Sequence, residues 1–175
     1  MTFSHSTGAY NVEASIIAWL NLVIVANAAP LIGAPVPLVV DYPQTPLAPP
    51  CYAATSLGGG PTAQQFEGAR LDPGKNGTMR WAMLQVDCWD TRRNNPAYRA
   101  RLIQLGDVLT FGYATALKAG GSLPIYDFYS SASAPVALAY RIYLDRFDES
   151  IPAPDPNPDL VRRRFVLLYR WLERI

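Results

Sequence analysis

The chain has 175 residues, of which 50% are apolar and 17% are charged, and its formal net charge is +1. This balance excludes a largely disordered chain and argues against nucleic-acid binding by bulk charge, and the length predicts a single domain, residues 1–175. The charge is uneven, because residues 1–69 hold three acidic and no basic residues, whereas residues 70–175 hold 15 basic and 11 acidic ones. This fits either a subunit with different partners at its two ends or a compositional preference for arginine.

The most apolar segment, residues 16–29, predicts a buried amphipathic helix that Thr7 or Asn11 caps and that ends at Pro30. A signal peptide and a membrane-contacting segment are the alternatives. The absence of a basic residue before it disfavours the first, and interruption by Asn21, Asn27 and Pro30 disfavours the second. The inward positions expected from helical spacing are Ile16, Leu20, Val23 and Ala26 or Asn27.

The middle of the chain predicts strands and one long loop. Residues 36–42 and 51–55 are β-rich and lie among prolines, and residues 56–78 form a long loop or arm between glycine-rich turn signals. Residues 78–90 are apolar at both odd and even positions, which predicts a central strand covered on both sides.

The second half predicts a helix followed by β-structure. Asn95 and Pro96 mark the start of a helix that ends near residue 119, before two glycines, and residues 136–147 alternate as a strand. Its inward stripe is Tyr98, Leu102, Leu105, Leu109, Gly112 or Tyr113, and Ala116, with Ile103 beside it. Residues 148–159 form a proline-rich loop. Residues 159–175 fit a helix or a strand, and aromatic and β-branched content favours a strand paired with 136–147.

Together these elements predict an α+β fold, in which a mixed, mainly antiparallel β-sheet packs with two main α-helices in the order α-β-β-β-α-β-β-β, with long loops. The single histidine, His5, lies near the terminus, and none of the nucleotide-binding or metalloprotease motifs is present. Asp87 and Asp90 have opposite strand parity and should not face each other. Cys51 and Cys88 are expected to be separate buried thiols, although one disulfide is possible. We therefore expect no enzyme, no cofactor and no metal site.

The basic residues gather in clusters at residues 92–93, 99–101 and 162–164. In a strand, Arg162 and Arg164 share one face and Arg163 lies on the other. These arginines suit either DNA phosphates in a channel or carboxylates of neighbouring subunits, and a solvated charged sheet face is the plain alternative.

The order of elements, and the strand end LQVDCWD (84–90) running into the helix NPAYRARLIQLGDVL (95–109), resemble the tail terminator, or tail-completion, proteins of long-tailed bacteriophages, the lambda U-protein class. The resemblance covers nearly the whole chain in element order. The long 56–78 loop and the proline-rich loop depart from it.

The resemblance implies a structural virion protein of the tail–neck region, assembled in the host cytoplasm. It implies a homo-oligomeric, hexameric ring that caps the tail tube protein, stops its polymerisation and meets the head–tail connector, while genomic DNA passes through the lumen without sequence-specific binding and no membrane is contacted. The residues expected at subunit or ring contacts are Gly58, Gly59, Gly60, Phe66, Arg70, Pro154 and Pro156. The residues expected to face the lumen or to form salt bridges are Arg92, Arg93, Arg162, Arg163 and Arg164.

Two rival functions remain open at this point. A head–tail stopper or neck connector would also form a ring but would bind the portal side. A secreted binding module would need a Cys51–Cys88 bridge.

Overall fold

The structure is a computed structural model that describes residues 9–40, 48–57, 77–93, 95–128, 130–152 and 157–174. Two helices and six strands follow the predicted order, which confirms the α+β fold. Their bounds are α1 Ala9–Ile32, β1 Leu38–Val39, β2 Cys51–Ser56, β3 Gly77–Thr91, α2 Tyr98–Lys118, β4 Ser122–Asp127, β5 Val136–Ser150 and β6 Leu160–Arg174.

The six strands form one sheet in the order β1-β2-β3-β6-β5-β4, in which only β1 and β2 run parallel. The C-terminal segment is a strand, as predicted, and lies between β3 and β5. Alternation decides this, because Phe165, Leu167, Tyr169 and Trp171 all enter the core on one face. The β3–β6 ladder joins 15 residues on each strand, so it is about 50 Å long at ~3.4 Å per residue.

β5 is shared unequally between its two neighbours. It pairs with β4 from Val136 to Tyr143 and with β6 from Ile142 to Ser150, with a register shift between Leu144 and Arg146. The two pairings therefore overlap over only the Ile142–Tyr143 step.

Both helices lie on the same face of the sheet. The even positions of β3, from Ala82 to Cys88, are buried against them, together with the odd positions of β6. The prediction of a central strand is confirmed, because β3 lies between β2 and β6, and the described odd positions on its second face are half-buried or buried although no described helix covers that face. There Trp89 is buried in a small cluster with Cys51, Ala53 and Leu160.

Helix α1 differs from its prediction at both ends. It passes through Pro30 and ends at Ile32. The next residue, Gly33, has a φ of +75°, and its N–H donates to the carbonyl of Ala29 (2.9 Å) and closes the last turn. Pro30 costs little there because it removes only one helical hydrogen bond, near the end. Asn11 lies inside the helix and is fully buried, so it does not cap it, and Thr7 lies outside the described residues.

The buried stripe of α1 runs at intervals of four residues. The predicted Ile16 and Leu20 belong to it, whereas Val23 is half-buried and Ala26 is exposed. The helix is apolar on all sides rather than amphipathic, and by length and composition alone it could cross a membrane. Its buried side nevertheless completes the core, with the residues Val12, Ile16, Leu20, Ile24 and Ala28.

Helix α2 starts at Tyr98, three residues after the predicted cap, because Asn95 closes a turn before it by accepting a hydrogen bond from the N–H of Ala97 (3.2 Å). The predicted inward positions Leu105, Leu109, Gly112 and Ala116 are buried, whereas Ile103 is 53% exposed. The glycine stop is confirmed, since Gly120 and Gly121 have φ of +103° and +65°.

Several loop and strand limits also shift. Of the first predicted strand, 36–42, only Leu38 and Val39 form a strand among the described residues, and 41–42 lie outside them. Strand β3 extends to Gly77 and Thr91. Residues 148–150, assigned to the proline-rich loop, belong to β5 because they pair with β6. The connection between the two strands is therefore confined to residues 151–159.

Candidate functional site: arginine–carboxylate pairs around β3 and β6

The twelve predicted site residues fall into two groups. Seven of them lie outside the described residues, namely Gly58, Gly59, Gly60, Phe66, Arg70, Pro154 and Pro156. The strand ends that flank these segments are described. Ser56 ends β2 and Gly77 begins β3, while Ser150 ends β5 and Leu160 begins β6. The five arginines are all described.

Arg164 and Arg162 converge on Asp87 on the helix-free face of the sheet. Asp87 lies opposite Arg164 in the β3–β6 register, and Arg164 donates to its two carboxylate oxygens over 2.9 and 3.2 Å. Arg162 approaches the same carboxylate at 3.6 Å, and Gln85 donates to it at 2.8 Å. The Asp87 side chain is 4% exposed. Its hydrogen bond to Arg164 raises the pKa of that guanidinium above its ordinary value.

Arg162 also covers the aromatic residue beside this pair. Its guanidinium carbon lies 5.0 Å from the ring centroid of Trp89, the residue opposite it in the register. A delocalised cation over an indole face is a favourable contact. This arrangement explains how Trp89 is fully buried on a face that no described helix covers.

Arg163 points to the opposite face, as strand parity predicts, and ties three elements together. It donates to both carboxylate oxygens of Glu149 on β5 over 2.7 and 2.8 Å and to the carbonyl of Ile103 on α2 at 3.1 Å. Hydrogen bonding to Glu149 raises the pKa of Arg163, to which the charge of Asp107 adds a smaller contribution, and the same contact lowers the pKa of Glu149. A Cβ on Gly106 would lie 2.4 Å from a terminal nitrogen of Arg163, so glycine makes room for this side chain.

Arg92 and Arg93 occupy the connection from β3 to α2, and both are exposed. The guanidinium of Arg92 lies 5.6 Å from the ring centroid of Tyr98, and Arg99 approaches the same ring at 5.8 Å. Neither Arg92 nor Arg93 pairs with a carboxylate in the described part of the chain. The predicted set therefore divides into three arginines engaged within the subunit and two that are available to a partner.

A further buried ion pair was missed from the sequence. Asp90 is fully buried and accepts from Arg101 of α2 at 2.7 Å, from Asn95 at 3.4 Å and from the N–H of Thr91 at 2.8 Å. The available signal was strand parity. Asp90 is at an even position of β3, which faces the helices, whereas Asp87 is at an odd position and faces away from them. The prediction that Asp87 and Asp90 face apart is confirmed.

Buried polar groups also fasten α1 to β4. Asn11 accepts from the N–H of Phe128 at 2.9 Å and donates to Asp127 at 3.3 Å. Ser15 donates to the carbonyl of Asn11 at 2.6 Å and accepts from the N–H of Tyr126 at 2.8 Å. These contacts satisfy edge-strand groups that would otherwise be buried without partners.

The two cysteines are unsuited to chemistry or to bridging. Cys51 lies opposite Trp89 and Cys88 lies opposite Tyr52, so their side chains occupy opposite faces of the sheet, and both are free and buried. Burial raises the pKa of Cys51 to about 11 and that of Cys88 well above its ordinary value. The bridge that a secreted binding module requires is therefore contradicted, and the expectation of separate buried thiols is confirmed.

Among the described residues, no group of three or more histidine, cysteine or acidic side chains is placed to hold a metal ion. The grooves along the helices are lined mainly by apolar side chains, and one of about 510 Å³ beside α1 contains one ionisable carboxylate, Glu13. Comparison of the sequence with models of protein families and with curated proteins finds no match.

Proposed function

We propose that this chain is a tail terminator subunit of a long-tailed bacteriophage. Six copies form a ring that caps the tail tube, stops its polymerisation and joins it to the head-side connector. The observation that carries the proposal is the position of two connections between strands, residues 57–76 and residues 151–159. The 57–76 connection joins Ser56, opposite Leu84 near the middle of the β3–β6 ladder, to Gly77 at the end where Gly77 and Arg174 pair. The 151–159 connection joins β5 to Leu160 at the other end, where Thr91 and Leu160 pair.

This placement supports a subunit that meets two different partners. The attachment points Gly77 and Leu160 lie at opposite ends of the ladder, about 50 Å apart at ~3.4 Å per residue. One connection can contact the tube while the other contacts the connector, because long loops on a rigid scaffold are where binding residues concentrate. Arg92 and Arg93 lie at the connector end. The N–H of Arg92 donates to the carbonyl of Asp159 (2.8 Å), which holds this arginine next to the 151–159 connection.

The internal ion pairs also support a structural role. Arg164 pairs with Asp87 across β3 and β6, and Arg163 pairs with Glu149 across β5 and β6, so both help to fix the register of the three strands. A ring subunit must keep its shape under load from its neighbours, and bidentate arginine–carboxylate pairs provide geometric specificity as well as energy.

The test is polymerisation of the tail tube protein encoded in the same genome, with and without this chain. Electron microscopy is expected to show tubes of limited length with density at one end. Native mass spectrometry of the capped ends is expected to detect a ring of six 19.2 kDa subunits, about 115 kDa. Tubes of unchanged length without end density refute the proposal. Binding to the connector but not to the tube identifies a stopper instead.

A loop replacement sharpens the test. Because Ser56 lies opposite Leu84, a linker must return past residues 77–83, about 24 Å at ~3.4 Å per residue, which about ten glycine and serine residues can span. Replacing residues 58–76 in this way is expected to abolish capping. The matched control, shortening residues 152–158, is expected to leave capping intact and to impair joining to the connector.

A further inference from the structure

The outward face of α2 carries a mainly apolar strip between one acid and one base. Asp107, Phe111, Ala114 and Lys118 follow each other at intervals of four, three and four residues, so they lie on one side of the helix, and all four are exposed. Phe111 is 60% exposed, and Leu117, three residues after Ala114, is 43% exposed. An exposed phenylalanine that is part of a contiguous apolar patch indicates a surface that binds another surface.

The apolar strip continues onto α1. A groove of about 410 Å³ lies between the helices beside Phe111, and its α1 side is formed by Ala26, Asn27, Pro30 and Leu31. Leu31 is 52% exposed, and that wall carries no charge. The helices can form one continuous surface because they approach closely where Gly112 meets Val23.

We propose that this face packs against the same face of a second copy, with the two α2 helices antiparallel about a two-fold axis near Phe111. Asp107 and Lys118 lie 11 residues apart, about 16 Å along the helix at ~1.5 Å per residue. In an antiparallel pair centred between them, each Asp107 meets Lys118 of the other copy, and Phe111 meets Ala114 of the other copy. The face is complementary to itself in charge and in apolar content, as an isologous contact requires.

The charges on this face make the second copy the best-fitting partner. Neither Asp107 nor Lys118 forms an ion pair among the described residues, although Asp107 lies near enough to Arg163 to influence it. A zwitterionic lipid surface offers no fixed cation opposite Asp107 and no fixed anion opposite Lys118, whereas a second copy supplies both. A two-fold contact cannot build a six-membered ring by itself, so this contact goes beyond the proposed tail cap and does not depend on it.

Charge reversal tests the contact, its direction and its symmetry. The Asp107→Lys chain places lysine against lysine at both ends of its own dimer, and the Lys118→Asp chain places aspartate against aspartate. Each variant alone is expected to dimerise at least about tenfold more weakly than the unaltered chain in sedimentation equilibrium, as like charges oppose each other at two points. Mixing the two variants restores both attractive pairs, so native mass spectrometry is expected to show a heterodimer.

The apolar centre has its own test. Phe111→Ser is expected to abolish the dimer, and the matched control Tyr143→Ser, an aromatic residue 43% exposed on the opposite face of the sheet, is expected to leave it unchanged. Circular dichroism confirms that each variant is folded.

Four outcomes overturn the proposal: an unaltered chain that stays monomeric, single charge variants that dimerise normally, a mixture that forms no heterodimer, or monomers that sediment with zwitterionic lipid vesicles through Phe111. None of these outcomes bears on tube capping, which is measured separately. The Lys118→Asp chain is expected to cap tubes normally.

Discussion

Gly112 allows the closest contact between the two helices, and replacing it by alanine measures that contact. A Cβ there would lie 2.4 Å from one terminal carbon of Val23 and 3.0 Å from the other. Valine in a helix keeps one strongly preferred rotamer, so it cannot turn away freely. Overpacking of this kind costs about 1–3 kcal/mol, while alanine regains about 1 kcal/mol of helix propensity. We expect Gly112→Ala to destabilise the protein by about 1 kcal/mol, within the range of 0–2 that these two terms allow.

Removing the obstructing methyl groups of Val23 reverses the sign of the effect that Gly112→Ala has on the free energy of unfolding. In the Gly112→Ala, Val23→Ala double variant the clash is absent and the propensity gain remains, so a double-mutant cycle is expected to give about 1–3 kcal/mol of favourable coupling, equal to the relieved overpacking. The assay is urea unfolding followed by circular dichroism at low protein concentration, with the midpoint shifting at constant slope. Ala114→Gly, at an exposed position of α2, calibrates propensity alone. The reasoning is refuted if Gly112→Ala stabilises the chain by about 1 kcal/mol and the cycle shows no coupling with Val23.

Three further predictions concern the charged and thiol groups. Asp87→Asn leaves two arginines without their shared counter-charge and is expected to cost about 2 kcal/mol in urea unfolding, whereas Asp148→Asn, in an exposed pair, is expected to cost less than about 0.5 kcal/mol; equal costs would contradict the role of burial. Because the pKa of Glu149 is lowered in the folded state, its contribution is complete above the ordinary value of 4.5 and is lost as the pH falls through the lowered value. Glu149→Gln is therefore expected to flatten the acid side of the stability profile, and an unchanged profile would count against the pairing. Cys51 and Cys88 are expected to resist alkylation at pH 8 until the chain unfolds, and a disulfide seen by non-reducing mass spectrometry would contradict their placement on opposite faces.

Parity arguments were the most successful predictions from the sequence. Alternation assigned Arg163 to one face of β6 and Arg162 and Arg164 to the other, and the C-terminal strand follows from the same alternation of aromatic residues. These properties belong to a strand by itself, so they need no knowledge of its neighbours.

Contacts between distant segments could not be predicted in the same way. Nothing in the sequence specifies that Arg164 lies opposite Asp87 rather than another carboxylate, since that depends on the register of two strands 77 residues apart. Asn11 was interpreted as a cap because asparagine favours helix starts, whereas burial against β4 determined its role. Pro30 was interpreted as a stop, although a proline in the last turns removes little hydrogen bonding.

The unequal sharing of β5 has a consequence for how the domain opens. Only the Ile142–Tyr143 step connects the β4 pairing of β5 with its β6 pairing, so the hairpin of β4 and the first half of β5 is attached to the rest of the sheet over a short span. Hydrogen bonds from Asn11 and Ser15 join this hairpin to α1. The hairpin and α1 should therefore exchange their amide hydrogens together, as one cooperative unit that unfolds before the long β3–β6 ladder.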